Sequence, residues 1–160
     1  MATTDPLRAQ LVRLLSWEEA HVGFDKAVAG LSPEHRGARP AGFEHSVWQQ
    51  VEHLRLAQDD LLRFAVDPKY VHDKKWPDDY WPVSSAPASE AAWKRSLADF
   101  AADRERLTQL IEDESVDLFA LVPTGKGEQT VVRAILLVID HNAYHVGQIV
   151  SVRKALGAWG

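Results

Sequence analysis

Four stretches of this 160-residue chain repeat apolar side chains at three- and four-residue steps, and none alternates at period two over a useful length. A period near 3.6 places those side chains on one face of a helix. The chain is therefore expected to be all-α. The first stretch covers residues 6–29. Asp5 suits an N-cap, Pro6 the first helical position and Gly30 a stop, and Leu7, Leu11, Leu14, Glu18 and Val22 form its stripe. The second covers 47–66, where Ser46 and Gln49 make a capping box, Val47, Val51, Leu54, Leu61 and Ala65 the stripe, and Asp67-Pro68 the end. The third covers 90–114, capped by Ser89, with Trp93, Leu97, Phe100, Leu107, Leu110 and Ile111 facing inward. The fourth covers 131–156, capped by Thr130 and stopped by Gly157. Its first half is apolar on nearly all sides, which predicts a central, well-covered helix.

Helices of this kind predict a four-helix bundle. Between the second and third lie residues 67–88, with Pro68, Pro77, Pro82 and Pro87 and no helical stripe. About 20 extended residues can span some 65 Å, whereas a 20-residue helix is about 30 Å long. The segment can cross the whole bundle and leave the second and third helices parallel, a long crossover connection that a simple hairpin would not need. The length suits one domain over residues 1–160.

Charge and cysteine content narrow the chemistry. Eighteen Lys and Arg against 23 Asp and Glu give a net charge of −5, which offers no basic face for nucleic acid. With no cysteine there is no disulfide and no thiolate ligand, so a metal would need nitrogen or oxygen donors. Residues 1–10 are polar, and the longest apolar run, residues 134–139, falls far short of the roughly 20 needed to span a bilayer. A soluble, cytoplasmic protein with no membrane partner is expected.

Seven histidines are present, and two share a helix face. His141 and His145 are one turn apart, within the stripe Ala134, Val138, His141, His145, Gln148 and Val152, where a bundle helix places core residues. Buried imidazoles cost free energy unless each nitrogen has a partner. Two readings stand: hydrogen-bonded core or interface histidines, or a pair of metal ligands. His53, two turns into the second helix beside its apolar stripe, is the best candidate for a third ligand. His21, His35, His45 and His72 read as surface or boundary residues.

The strings Ser46-Val-Trp-Gln-Gln-Val-Glu-His53-Leu and Asp140-His-Asn-Ala-Tyr-His145-Val-Gly-Gln148-Ile resemble the two motifs of the DinB/YfiT-like superfamily, the second being its HxxxHxGQ signature. The resemblance covers nearly the whole chain, including the long linker. It implies a four-helix bundle with a crossed connection, often a homodimer, in which His53, His141 and His145 hold one divalent metal, nickel or zinc. It also implies a small-molecule substrate, with activities in the family ranging from metal-dependent hydrolysis to S-transfer and isomerisation with low-molecular-weight thiols. Three imidazoles leave coordination positions open, which is the catalytic rather than the structural pattern, and imidazole suits both metals. A non-catalytic, stress-associated metal-binding module that dimerises is the alternative.

Residues around the ligands carry weaker signals. Gln148 could bond a ligand or bound water, or join two helices; Tyr144 could offer its hydroxyl to the cavity, or pack in the core. Asp140 is rotated about 100° from His141 and reads as a surface carboxylate, and Glu52 has the same problem beside His53. Gly147 would let another helix approach. The aromatic run Trp76-Pro-Asp-Asp-Tyr80-Trp81-Pro82 is expected to cover the metal end, line a substrate pocket or bury against a second copy, with packing favoured over a direct substrate role, and Trp48 to do likewise. Residues 123–128 lack the spacing of a phosphate loop, and neither HExxH, G-x-S-x-G nor the Glu-x-x-His repeats of di-iron bundles occur.

Overall fold

The computed structural model describes residues 5–16 and 20–160. Among these, regular structure is helical: α1 (Pro6–Leu15), α2 (Phe24–Val28), α3 (Pro33–Arg36), α4 (Val47–Val66), α5 (Glu90–Glu112) and α6 (Val131–Ala155), with a 3-10 turn at Asp78–Tyr80. Strand pairing among them is confined to one isolated bridge, Leu121 with Thr130. No helix is long and apolar enough to cross a membrane.

Caps set the start of each long helix. Asp5 accepts from the backbone N–H of Leu7 and Arg8, Ser89 from that of Ala92, and Thr130 from that of Arg133. Ser46 and Gln49 close a reciprocal capping box at the start of α4. Gly157, just past the end of α6, has φ +67°, a conformation that costs glycine little.

The first helix departs from expectation. It stops at Leu15, the backbone at residues 20–23 is non-helical, and a separate short helix begins at Phe24. Glu18 lies outside the described residues. Tertiary contacts hold α2 in its own direction: the Phe24 ring stacks on Phe100 of α5 at 4.0 Å, and the Arg153 guanidinium of α6 donates to the carbonyls of Ala27 (2.7 Å) and Ala29 (2.9 Å). The inward face of α1 also differs. Leu11 is buried, but Leu7 and Leu14 are exposed, and the buried or half-buried positions are Arg8, Ala9, Leu11, Val12 and Leu15. Arg8 takes the inner place because its guanidinium satisfies carbonyls at and beyond the C-terminus of α5, donating to Ile111 (2.7 Å), Asp113 (2.9 Å) and Val116. A charged side chain on a core face is invisible to an apolar-periodicity search.

α4 is the central element, packed on both α5 and α6. Val47, Val51 and Leu54 are fully buried along it. Gln58, also buried, ties three helices together: its amide donates to the Phe100 carbonyl of α5 (2.8 Å) and its carbonyl accepts from Asn142 of α6 (2.9 Å). The first half of α6 is less covered than expected. Leu136 and Leu137 are exposed, and each borders a cavity.

Residues 67–89 double back along α4. Tyr70 and Tyr80 bond Asp60, the Tyr80 carbonyl bonds His53, the Pro82 carbonyl accepts from Gln49 (3.1 Å), and the Ser85 carbonyl accepts from the Ser46 hydroxyl. The segment thus runs the length of α4 from its last turn to its cap, and α5 starts beside the start of α4.

Replacing Arg8 with Met should cost about 2 kcal/mol of stability in urea denaturation, because buried carbonyls lose a charged donor. Leu7→Ala, on the exposed face, should change it by less than about 0.5 kcal/mol. Equal costs would show that the helix faces the core as its leucines suggest.

Candidate metal centre

His53 is carried by α4 and is 1% exposed. His141 and His145 reach the same place from α6, the first half-buried and the second buried. One ring nitrogen from each lies within 4.8 Å of the others, and His53 Nε2 is 3.0 Å from His141 Nε2. The three-histidine group could hold a metal ion; among the described residues no carboxylate joins it.

The tautomers follow from the partners. The Tyr80 carbonyl can only accept, so at 3.1 Å it takes the proton on His53 Nδ1. Gln50 Oε1 takes the proton on His145 Nδ1 at 2.7 Å. Both rings are left with a lone pair on Nε2, the nitrogen a metal would need, and a partner fixing the far nitrogen is the usual support of a ligating histidine. The donor set therefore fits a divalent cation. Burial keeps all three rings neutral. It pushes the pKa of His53 down to about 4, an effect the Tyr80 carbonyl partly opposes and neighbouring His141 and His45 reinforce; His145 falls to about 3 from burial plus the other histidines, and His141 is lowered by burial against the pull of Asp140.

The linker forms the roof. Trp81 lies between two imidazoles, its ring 3.9 Å from His53 with parallel planes and 3.7 Å from His45 with planes 11° apart. Tyr80 is buried, and its hydroxyl donates to Asp60 Oδ2 at 2.6 Å, which sets where its carbonyl meets His53. Trp76 stands half-open near His53 and His141, with centroids at 5.7 and 6.0 Å. The aromatic run thus covers the histidine end, as its sequence predicts. Trp48 does not: it packs against Trp93 in the core.

Two cavities reach the cluster. One of about 580 Å³ includes His141 in its wall; the other, about 360 Å³, is lined by His145, Gln148, Tyr144, Gln50, Glu44, His45 and Trp81. Gln148 and Tyr144 therefore border the site. Tyr144 is exposed rather than in the core, with its ring edge-on to His145 at 4.9 Å. Gly147 does not admit another helix, since a Cβ there would meet nothing within 4 Å. Asp140 is exposed, and Glu52 pairs with Arg55 at 2.9 Å. His45, expected at a boundary, stacks on the roof of the site. Its burial on Trp81 had no periodic signal, and neither Gln50 nor the Tyr80 carbonyl could be found from motif spacing alone.

The family model for the DinB superfamily matches residues 16–149. The chain belongs to the DinB superfamily. In this DinB protein, histidines of α4 and α6 converge in one cluster. Searches of curated proteins and of solved structures returned no significant match.

The depressed histidine pKa values make the metal-free DinB fold less stable in acid. An imidazole of pKa near 6.5 when unfolded and about 4 in place contributes stability fully above pH 6.5 and loses it as pH falls towards 4. The chelator-treated protein should show a lower urea midpoint at pH 5 than at pH 7. Equal midpoints would mean that these rings are not held neutral.

Proposed function

We propose that this protein is a metal-dependent enzyme acting on a small molecule, with His53, His141 and His145 as ligands of one nickel or zinc ion. The observation that carries this reading is the convergence of three ring nitrogens within 4.8 Å, two of them with the opposite nitrogen already committed to an acceptor. Membership of a metal-associated family agrees with it. A bound divalent ion would supply Lewis acidity, lowering the pKa of a water or thiol without a protein base.

The chain's own residues do the rest. Tyr80 and Gln50 orient two imidazoles, Trp81 excludes water from one face of His53, and α4, α6 and the linker hold the cluster together. The four long helices α1, α4, α5 and α6 are read as a single-domain four-helix bundle, with residues 67–89 as its crossover. The reaction is either hydrolysis or transfer of a low-molecular-weight thiol. Transfer is favoured by two cavities of different character at the cluster, one walled largely by apolar and aromatic side chains and the other rich in polar groups, since two reactants need two places. Cytoplasmic location and homodimerisation complete the proposal; exposed Phe119, Leu121 and Leu136 are apolar side chains that a second copy could cover. The same residues support the alternative of a dimeric metal-binding module without catalysis.

His141→Ala should reduce metal content from about one ion per chain to a small fraction, read by elemental analysis of untagged protein. It should also remove the stabilisation that metal gives wild type, about 2.7 kcal/mol when free metal is a hundredfold above Kd. Melting of wild type that is unchanged by chelator would count against metal binding. Turnover by nickel- or zinc-loaded protein should appear with a thiol panel and not with ester or amide panels; the reverse result assigns hydrolysis, and turnover with neither favours the non-catalytic module.

A further inference from the structure

The larger cavity, about 580 Å³, forms a slot between two helices. One wall is α4, with Ala57, Leu61 and Phe64; the other is α6, with Leu137 between Arg133 and His141; Tyr70, Trp76 and Tyr80 roof it. Arg133, Leu137 and His141 follow one another at four-residue steps, so they stand on successive turns of one helix. Eight residues at 1.5 Å each put Arg133 about 12 Å along α6 from His141.

The charges in the slot have one sign to spare. Its only carboxylate among the lining residues, Asp60, is already engaged by the hydroxyls of Tyr70 (3.0 Å) and Tyr80 (2.6 Å) and by Arg63 (3.1 Å), with Lys74 at 3.9 Å. Arg133 has no carboxylate partner among the described residues. The three imidazoles at the other end are neutral and would not offset the charge of a cation held there. Leu61, Phe64, Trp76 and Leu137 give the lining its apolar part, and His72 and Gln129 are further polar side chains in it.

We infer that the slot selects an elongated substrate with its reactive group at the His141 end, an apolar middle against Leu61, Phe64, Trp76 and Leu137, and an anionic group, such as a carboxylate, on Arg133 about two helical turns away. This rests on the metal reading only for the chemistry at the histidine end; the Arg133 end stands on the cavity. Arg133 is a binding residue here, exposed on α6, so its substitution leaves the packing intact.

The test uses nickel-loaded protein and the monohydroxamates of succinic, adipic, suberic and sebacic acids, each beside its methyl ester. Binding is read from tryptophan fluorescence, to which Trp76 in the slot responds, and engagement of the metal from the visible nickel spectrum. The longer acids should bind best, and each long acid should exceed its ester by about fivefold, the range expected for a partly exposed charged pair. Arg133→Gln should abolish the acid–ester difference, with nickel content and spectrum unchanged, and Arg133→Lys should restore part of it. Equal binding of acid and ester by wild type, or a preference that survives in Arg133→Gln, overturns the inference. A nickel spectrum unmoved by every hydroxamate, with the acid preference intact, overturns the metal reading and leaves the anion end of the slot standing.

Discussion

The structure depends on the docking of residues 67–89 along α4. A helix of this length, buried against α5 and α6, still has one side to cover, and the proline-rich segment covers it through bonds spaced from its last turns to its cap. Asp60 takes the hydroxyls of Tyr70 and Tyr80; Gln49 and Ser46 take the carbonyls of Pro82 and Ser85. Between these anchors the Tyr80 carbonyl falls on His53 and the Trp81 ring on its face. An extended chain has free backbone carbonyls to give, which a helix in the same place would not.

This arrangement gives Asp60 a role beyond a salt bridge. It is nearly buried, yet its oxygens are shared between two phenols and Arg63, and burial together with its charge pushes the Tyr70 hydroxyl up to about 12 and that of Tyr80 higher still. Both phenols stay protonated donors at ordinary pH. The same carboxylate is the one among the larger cavity's lining residues, and its oxygens are already engaged.

Buried arginines play a matching part at the ends of helices. Arg8 serves the carbonyls at the end of α5, and Arg153 those of α2 and of Ala158. Planar guanidinium groups with several donors suit clusters of orphan carbonyls that no single cap could satisfy. They also explain why α1 presents Arg8 rather than Leu7 to the interior, and why the chain turns into α2 after a break that its helix-compatible composition does not announce.

What the sequence determined by itself is local. Caps and stops at Asp5, Ser46, Ser89, Thr130 and Gly157 act within a few residues of themselves, so the bounds of α4, α5 and α6 were legible almost to the residue. The spacing of His141 and His145, and the place of His53 beside an apolar stripe, made the cluster legible too, since helical periodicity converts spacing into a shared face. Only the tertiary structure decided which groups finish those imidazoles: Gln50, the Tyr80 carbonyl, Trp81 and His45 meet them across chain separations that no period links. It alone showed Tyr144 exposed, Gly147 open and Leu137 lining one cavity together with Arg133 and His141. The reason is physical: hydrogen bonds and cavities between elements depend on how helices and linker pack in space, and the periodic pattern along one helix records only which side is apolar.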